Sequence, residues 1–184
     1  MTFTVNGKEI DARNNVVFEL SRILEPFRVT MKWNDLLITF RILVSMDKGT
    51  AVSIPVTDGV LEEMGCTVEE LYRMAQENTK RIFPPFIGDM VMFKVLTNTE
   101  GLKGAGVILY DDIMDTIRQE VEGDFYLIPS SIHEWLIIPD DGDVDEAGLG
   151  EMIREVNRDT VAPEDRLSDH PYRYKDGKVI EVMA

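Results

Sequence analysis

The sequence predicts an α+β fold. We expect a mostly antiparallel sheet with helices packed on one face, a C-terminal half running ββαββαββ and a largely helical N-terminal half. Three observations predict it. Short alternating apolar runs flank the turn dipeptides Asn6-Gly7 and Asp176-Gly177, which suit two-residue hairpins. Other stretches carry apolar residues at i, i+3, i+4 spacing with their own start and stop signals. In the second half strands fall in pairs between helices, which favours antiparallel pairing over single βαβ crossovers.

Taken in order, Thr2 to Ile10 reads as a hairpin about Asn6-Gly7. From Ala12 to Leu24, the residues Val16, Val17, Leu20, Ile23 and Leu24 make one helix face, and Pro26 ends it. Arg28 to Lys32 alternates and reads as a strand. Trp33 to Val44 fits either an apolar strand or a buried helix capped by Asn34; its length favours the helix, with Leu36, Leu37, Phe40 and Leu43 inside. Gly49 to Val56 is a strand. Thr57 or Asp58 opens a short helix that stops at Gly65. Thr67 and Glu70 then form a capping box, each side chain reaching the other's backbone N–H, for a helix that runs to Pro84-Pro85. The two prolines are the best internal boundary.

Beyond them, Met92 to Thr97 and Val107 to Tyr110 read as strands joined by a Gly101–Gly106 turn. Asp111 to Val121 is a helix with acids in its first turn, where the helix dipole favours them, and Gly123 stops it. Phe125 to Ile128 and Glu134 to Ile138 are strands. Asp140 to Gly148 is an acidic loop, Leu149 to Arg158 a helix, and Tyr172 to Val182 a terminal hairpin about Asp176-Gly177.

A chain of 184 residues, 44% of them hydrophobic, fits a single domain over 1–184, with a possible subdivision into a mainly helical 1–85 and a sheet-containing acidic 86–184. The first residues lack a basic segment followed by an apolar one, so no secretory leader is expected. No apolar run reaches the ~20 residues of a membrane span. Cys66 is the single cysteine, which fits a reducing cytoplasm.

The net charge of −15 is unevenly spread. Residues 1–92 hold 13 acids and 10 bases, whereas residues 93–184 hold 21 acids and 9 bases. Such a field repels nucleic acid and attracts basic proteins. The acids expected to face a partner are Asp111, Asp112, Asp115, Asp140, Asp141, Asp143, Asp145, Glu146, Glu151 and Glu155. The plain alternative is a solvated surface that keeps the protein dispersed.

Candidate chemistry is sparse. In the loop Asp140–Glu146 a calcium-binding register needs glycine at position six and glutamate at position twelve; counting from Asp141 these are Glu146 and Met152, and counting from Asp140 position six is Asp145. Gly101, Gly104 and Gly106 lead into an expected strand rather than opening a helix, so they make no phosphate cradle. One cysteine and two histidines exclude a standard zinc site. No metal or cofactor is expected. Ser131, His133 and Glu134 place hydroxyl, imidazole and carboxylate close together, the weak alternative for a hydrolase.

An ordered series of segments carries a resemblance. Val68-Glu69-Glu70-Leu71-Tyr72 through Asn78-Thr79 is followed by Val95-Leu96-Thr97-Asn98 and Gly104-Ala105-Gly106-Val107-Ile108-Leu109-Tyr110. Gly123-Asp124-Phe125-Tyr126-Leu127-Ile128-Pro129 runs on to Glu134; then come Glu155-Val156-Asn157, Val161-Ala162-Pro163-Glu164, Leu167-Ser168-Asp169 and Tyr172-Arg173-Tyr174. Together they resemble the DUF5688 family of gut Firmicutes, from about Trp33 to the C-terminus. The resemblance implies a bacterial host, with a phage or other mobile element as a further source, and supplies no catalytic residues.

The reading that follows is a non-enzymatic, cytoplasmic protein whose acidic surface docks on a basic partner. A nucleic-acid enzyme is one such partner, with anti-CRISPR or other anti-defence inhibition as the case in point. The alternatives are the Ser131/His133/Glu134 hydrolase and a housekeeping interaction module.

Overall fold

The computed structural model describes residues 1–47 and 49–183. The architecture is α+β, built on antiparallel sheets. Strands β1 (Thr2–Val5) and β2 (Lys8–Asp11) form the predicted N-terminal hairpin, with Asn6 and Gly7 both at positive φ. A single turn of helix, α1 (Ala12–Asn15), is capped by the Asp11 side chain, which accepts from the Arg13 N–H.

The N-terminal half is mostly strands, not helical. Where a helix was expected from Ala12 to Leu24, β3 (Val16–Ser21) buries Val16, Val17 and Phe18 in succession. β4 (Thr30–Trp33) follows, and then the twelve-residue β5 (Leu36–Asp47) takes the place of the second expected helix. β5 puts Leu36, Ile38, Phe40, Ile42 and Val44 into the main core, which is a period of two. β3 lies along one side of β5, while β4 and then β6 (Thr50–Pro55) lie along the other.

Helices α2 (Asp58–Met64) and α3 (Val68–Ile82) form where expected, α3 with its Thr67/Glu70 capping box complete. α3 covers the outer edge of β3. Thr79 Oγ1 accepts the Phe18 N–H at 3.0 Å and Asn78 donates to the Val16 carbonyl at 3.0 Å, so free edge groups of that strand are satisfied by helix side chains.

The C-terminal half runs ββαββαββ, but its first pair is displaced. The strands are β7 (Pro85–Asp89) and β8 (Lys94–Asn98); the expected strand Val107–Tyr110 is instead the end of a 3₁₀ helix, Gly104–Leu109, in which every residue is buried. α4 (Ile113–Val121) ends on Glu122, which takes the left-handed conformation expected of Gly123. β9 (Phe125–Ser131), β10 (Glu134–Pro139), α5 (Glu146–Asp159), β11 (Tyr172–Lys175) and β12 (Lys178–Glu181) complete the chain. The six-stranded sheet has the order β12-β11-β9-β10-β8-β7.

The helices do not share one face of this sheet. Phe125, Leu127, Trp135 and Ile137 join α4 and the N-terminal sheet in the main core. The alternate residues Tyr126, Ile128, Leu136 and Ile138 pack instead with Ile153 and Leu149 of α5. β9 is therefore apolar on both sides, as a strand covered on two faces must be. The main core draws on residues from Ile10 to Tyr174, on both sides of Pro84.

The buried 3₁₀ helix is fitted tightly. A Cβ on Gly104 would lie 2.2 Å from Thr97 Oγ1, 2.5 Å from the His133 carbonyl oxygen and 2.9 Å from the Asn98 nitrogen. Two of those atoms are backbone and cannot step aside. Gly104→Ala is expected to cost roughly 3 kcal/mol in urea unfolding, the upper range for overpacking. An unchanged midpoint would mean that this approach is not tight in solution.

Candidate functional site

The Ser131, His133 and Glu134 side chains turn to different partners. Ser131 Oγ accepts the His133 backbone N–H at 3.1 Å, a local turn bond. Glu134 accepts from Ser130 Oγ, at 3.1 Å, rather than from the imidazole. His133 Nδ1 accepts the Lys103 N–H at 3.1 Å, so the proton of the neutral ring sits on Nε2, which lies 3.5 Å from Asp165. Neither Ser130 nor Ser131 is bonded to that imidazole, so Ser131, His133 and Glu134 do not form a hydrogen-bonded relay. The group holds the β9–β10 turn against the loop before the 3₁₀ helix.

The ten acids proposed for a partner face are divided by the six-stranded sheet. Asp111, Asp112 and Asp115 lie at the start of α4; the remaining seven lie on the loop and helix that cover the other face. Several are engaged internally. Asp140 is 6% exposed and takes a charge-assisted bond from Arg173 Nε at 2.7 Å, while Arg173 stacks 5.2 Å from the Tyr126 ring centre. Glu146 accepts the Tyr126 hydroxyl at 2.7 Å; burial first, and then this carboxylate, push the phenol up to about 12. Asp145 caps α5. Asp112 pairs with Lys80 at 2.7 Å and Asp111 accepts from Gln76 at 2.7 Å. Asp141, Asp143 and Glu151 have no ion-pair partner among the described residues.

Two features were missed by sequence reasoning. The first is the β7–β8 hairpin tip. Met90, Val91 and Met92 are 58%, 103% and 83% exposed, and Phe86 on the edge strand β7 is 51% exposed. The tip shares a concavity with Glu120, Val121, Glu122 and Pro139. Met92 and Phe93 were read as the start of a strand, whereas they belong with Met90 and Val91 to the loop before one. A loop made wholly of apolar residues was the signal available.

The second is a cavity of about 500 Å³ between the N-terminal sheet and the Leu102-Lys103 loop, lined by Glu19, Arg28, Arg41, Lys103 and Glu164 among others. Arg41 Nε donates to Ser53 Oγ at 2.6 Å and lies 3.8 Å from Glu19; Arg28 pairs with Glu25. Desolvation pushes the Glu19 carboxyl up, and Arg41, Lys103 and Arg28 together only partly offset it. The available signal was one charge inside each of two apolar runs, of opposite sign: Glu19 within Val16–Leu20 and Arg41 within Leu36–Val44.

The raised Glu19 pKa has a definite consequence. The folded state holds its proton more tightly than the unfolded chain, so this group's contribution is fully present below the unfolded value. It is lost as pH rises through the folded value. Glu19→Gln is therefore expected to match wild type in acid and to gain on it as pH rises towards neutrality, read by urea unfolding across pH 4–8. A variant that loses ground with rising pH would contradict the buried-carboxylate assignment.

Comparison with curated proteins and with solved structures finds no match. A family model described as a family of unknown function, DUF5688, matches residues 23–94 and again residues 89–176. These matches take in strands of both sheets, the buried 3₁₀ helix and the lining of the 500 Å³ cavity other than Glu19, Leu20 and Ser21. On that extent of agreement, the chain belongs to the DUF5688 family.

Proposed function

We propose that this chain is a non-catalytic binding protein that docks on a basic protein surface through one end of its six-stranded sheet. The observation that carries the proposal is the apolar tip Met90–Met92, exposed to water beside acidic residues. Apolar side chains this exposed lose free energy of hydration only when a partner covers them, at roughly 25 cal/mol per Å². Asp89, Glu120 and Glu122 lie around the tip, with Lys94 pairing with the first two at 2.5 and 3.1 Å and leaving the rim net acidic. Pro139 meets the same concavity, and the unpaired Asp141 and Asp143 follow it in the chain.

An apolar centre with a charged rim is the anatomy of a protein interface. The acids select a partner with Lys and Arg around an apolar recess and speed its approach. They also oppose insertion of the tip into an anionic lipid surface. An enzyme whose basic groove otherwise holds nucleic-acid phosphates fits this description, and the chain would act on it as an inhibitor by occupying that groove. This face differs from the ten-acid surface read from sequence: it keeps Asp141 and Asp143, leaves out the other eight, and adds Asp89, Glu120 and Glu122.

The test is capture from a bacterial host extract at rising salt, comparing wild type with two variants. Replacing Met90, Val91 and Met92 together by serine is expected to leave stability within about 0.5 kcal/mol, since the tip is exposed, and to weaken capture of a specific partner at least tenfold. Asp141→Asn with Asp143→Asn is expected to flatten the salt dependence. Equal capture by the tip variant, or binding indifferent to salt, would overturn the proposal.

A further inference from the structure

Asp35, His170 and Glu181 come together from three separate parts of the chain. Asp35 is in the β4–β5 turn, beside Asn34 at φ 51°. His170 precedes β11, and Glu181 ends β12 directly opposite Tyr172. One ligand-capable atom from each lies within 4.8 Å of the others. From this geometry we infer a binding site for a single first-row divalent cation such as Zn²⁺ or Mn²⁺, with one imidazole, two carboxylates and water as its ligands.

The orientation of His170 is the main argument. Its Nδ1 lies 3.1 Å from the Pro171 carbonyl oxygen, which can only accept, so Nδ1 carries a proton. That leaves Nε2 turned to the cluster, 3.1 Å from Asp35 Oδ2. Nε2 and a carboxylate oxygen at this distance need a positive centre between them, which is either a second ring proton or a bound cation that takes its place. Fixing the tautomer through a backbone carbonyl is how proteins prepare an imidazole to ligate metal through its other nitrogen.

The spacing agrees. Ligand atoms about 2.0–2.2 Å from one cation stand roughly 3–3.5 Å from each other, the separation already held between His170 and Asp35. The Glu181 carboxylate stands on the third side, within 4.8 Å of both.

The second ligand is held as well. The Tyr172 hydroxyl donates to Asp35 Oδ1, which leaves Oδ2 for the cation. Burial keeps that phenol protonated and donating. Trp33, Trp135 and Tyr172 pack against one another beneath the site, with the His170 ring 4.9 Å from Tyr172. The donor set of imidazole and carboxylate suits Zn²⁺, Mn²⁺ or Fe²⁺ rather than a thiolate-seeking ion. A cation here would tie the N-terminal sheet, through Asp35, to the edge of the six-stranded sheet. The site is independent of the docking surface proposed above.

The experiment is equilibrium dialysis of the full chain against Zn²⁺, with imidazole NMR under substoichiometric Mn²⁺. The chain has two histidines, so the signals separate cleanly. The expected result is one Zn²⁺ per chain, with Mn²⁺ broadening His170 and sparing His133. His170→Gln and Glu181→Gln should each weaken binding at least tenfold, and Tyr172→Phe by roughly 10- to 100-fold. Should His170→Gln fail to fold, the NMR result on wild type decides alone. No bound Zn²⁺, broadening of both histidines alike, or loss of binding only in Asp141→Asn with Asp143→Asn would overturn the site.

Discussion

The indole of Trp135 organises much of this molecule. Its Nε1–H donates to the Ala105 carbonyl at 2.8 Å, and its ring is wholly buried against Trp33 and Tyr172. A 3₁₀ helix in the interior is costly unless its backbone groups are paired. Here the Ala105 N–H goes to the Ile132 carbonyl, its carbonyl to Trp135, and the following Tyr110 hydroxyl to the Phe83 carbonyl. The two sheets thus meet through a buried segment whose polar groups pair with the β9–β10 hairpin and the end of α3, while Phe18 of β3 packs against Gly106. The same tryptophan supports the aromatic layer under Asp35 and His170, and the same segment places Lys103 over the Glu19 cavity.

How much of this was legible follows from where the decisive contacts lie. Elements with local signals were read correctly: the Asn6-Gly7 and Asp176-Gly177 hairpins, the Thr67/Glu70 capping box, and α4 and α5 by their apolar spacing. The N-terminal strands were misread because Val16–Leu20 and Leu36–Val44 are apolar at every position but Glu19, Thr39 and Arg41, and runs so dense in apolar residues fit both periods. Alternation was present at Leu36, Ile38, Phe40, Ile42 and Val44; choosing Leu36, Leu37, Phe40 and Leu43 gave a helix instead. Val107-Ile108-Leu109 looked like a strand because nothing local says that Gly104 and Gly106 exist to pass close to Thr97 and Phe18.

The functional residues were harder still. His170 meets Asp35 across 135 residues, and no spacing rule reaches that far. The acid count was read correctly, but its meaning changed on folding: Asp140, Asp145, Glu146 and Asp112 serve a half-buried ion pair, a helix cap, a tyrosine and a lysine. Charge that looked like one surface became two, separated by the six-stranded sheet. One end where acids face solvent beside exposed apolar side chains is the β7–β8 tip. A −15 chain therefore spends part of its acidity on its own architecture, and three further acids, Asp89, Glu120 and Glu122, line the concavity beside that apolar tip.

The measurement that bears most directly on this account is native-state hydrogen exchange resolved by residue. If the buried 3₁₀ helix joins the two sheets into one cooperative unit, three amides should exchange only through global unfolding, with a common free energy. These are Ala105 at the junction, Val56 bonded to Phe40 in the N-terminal sheet, and Ile132 bonded to Asp165 in the C-terminal half. Separate free energies for the two sheets, with Ala105 following neither, would contradict it.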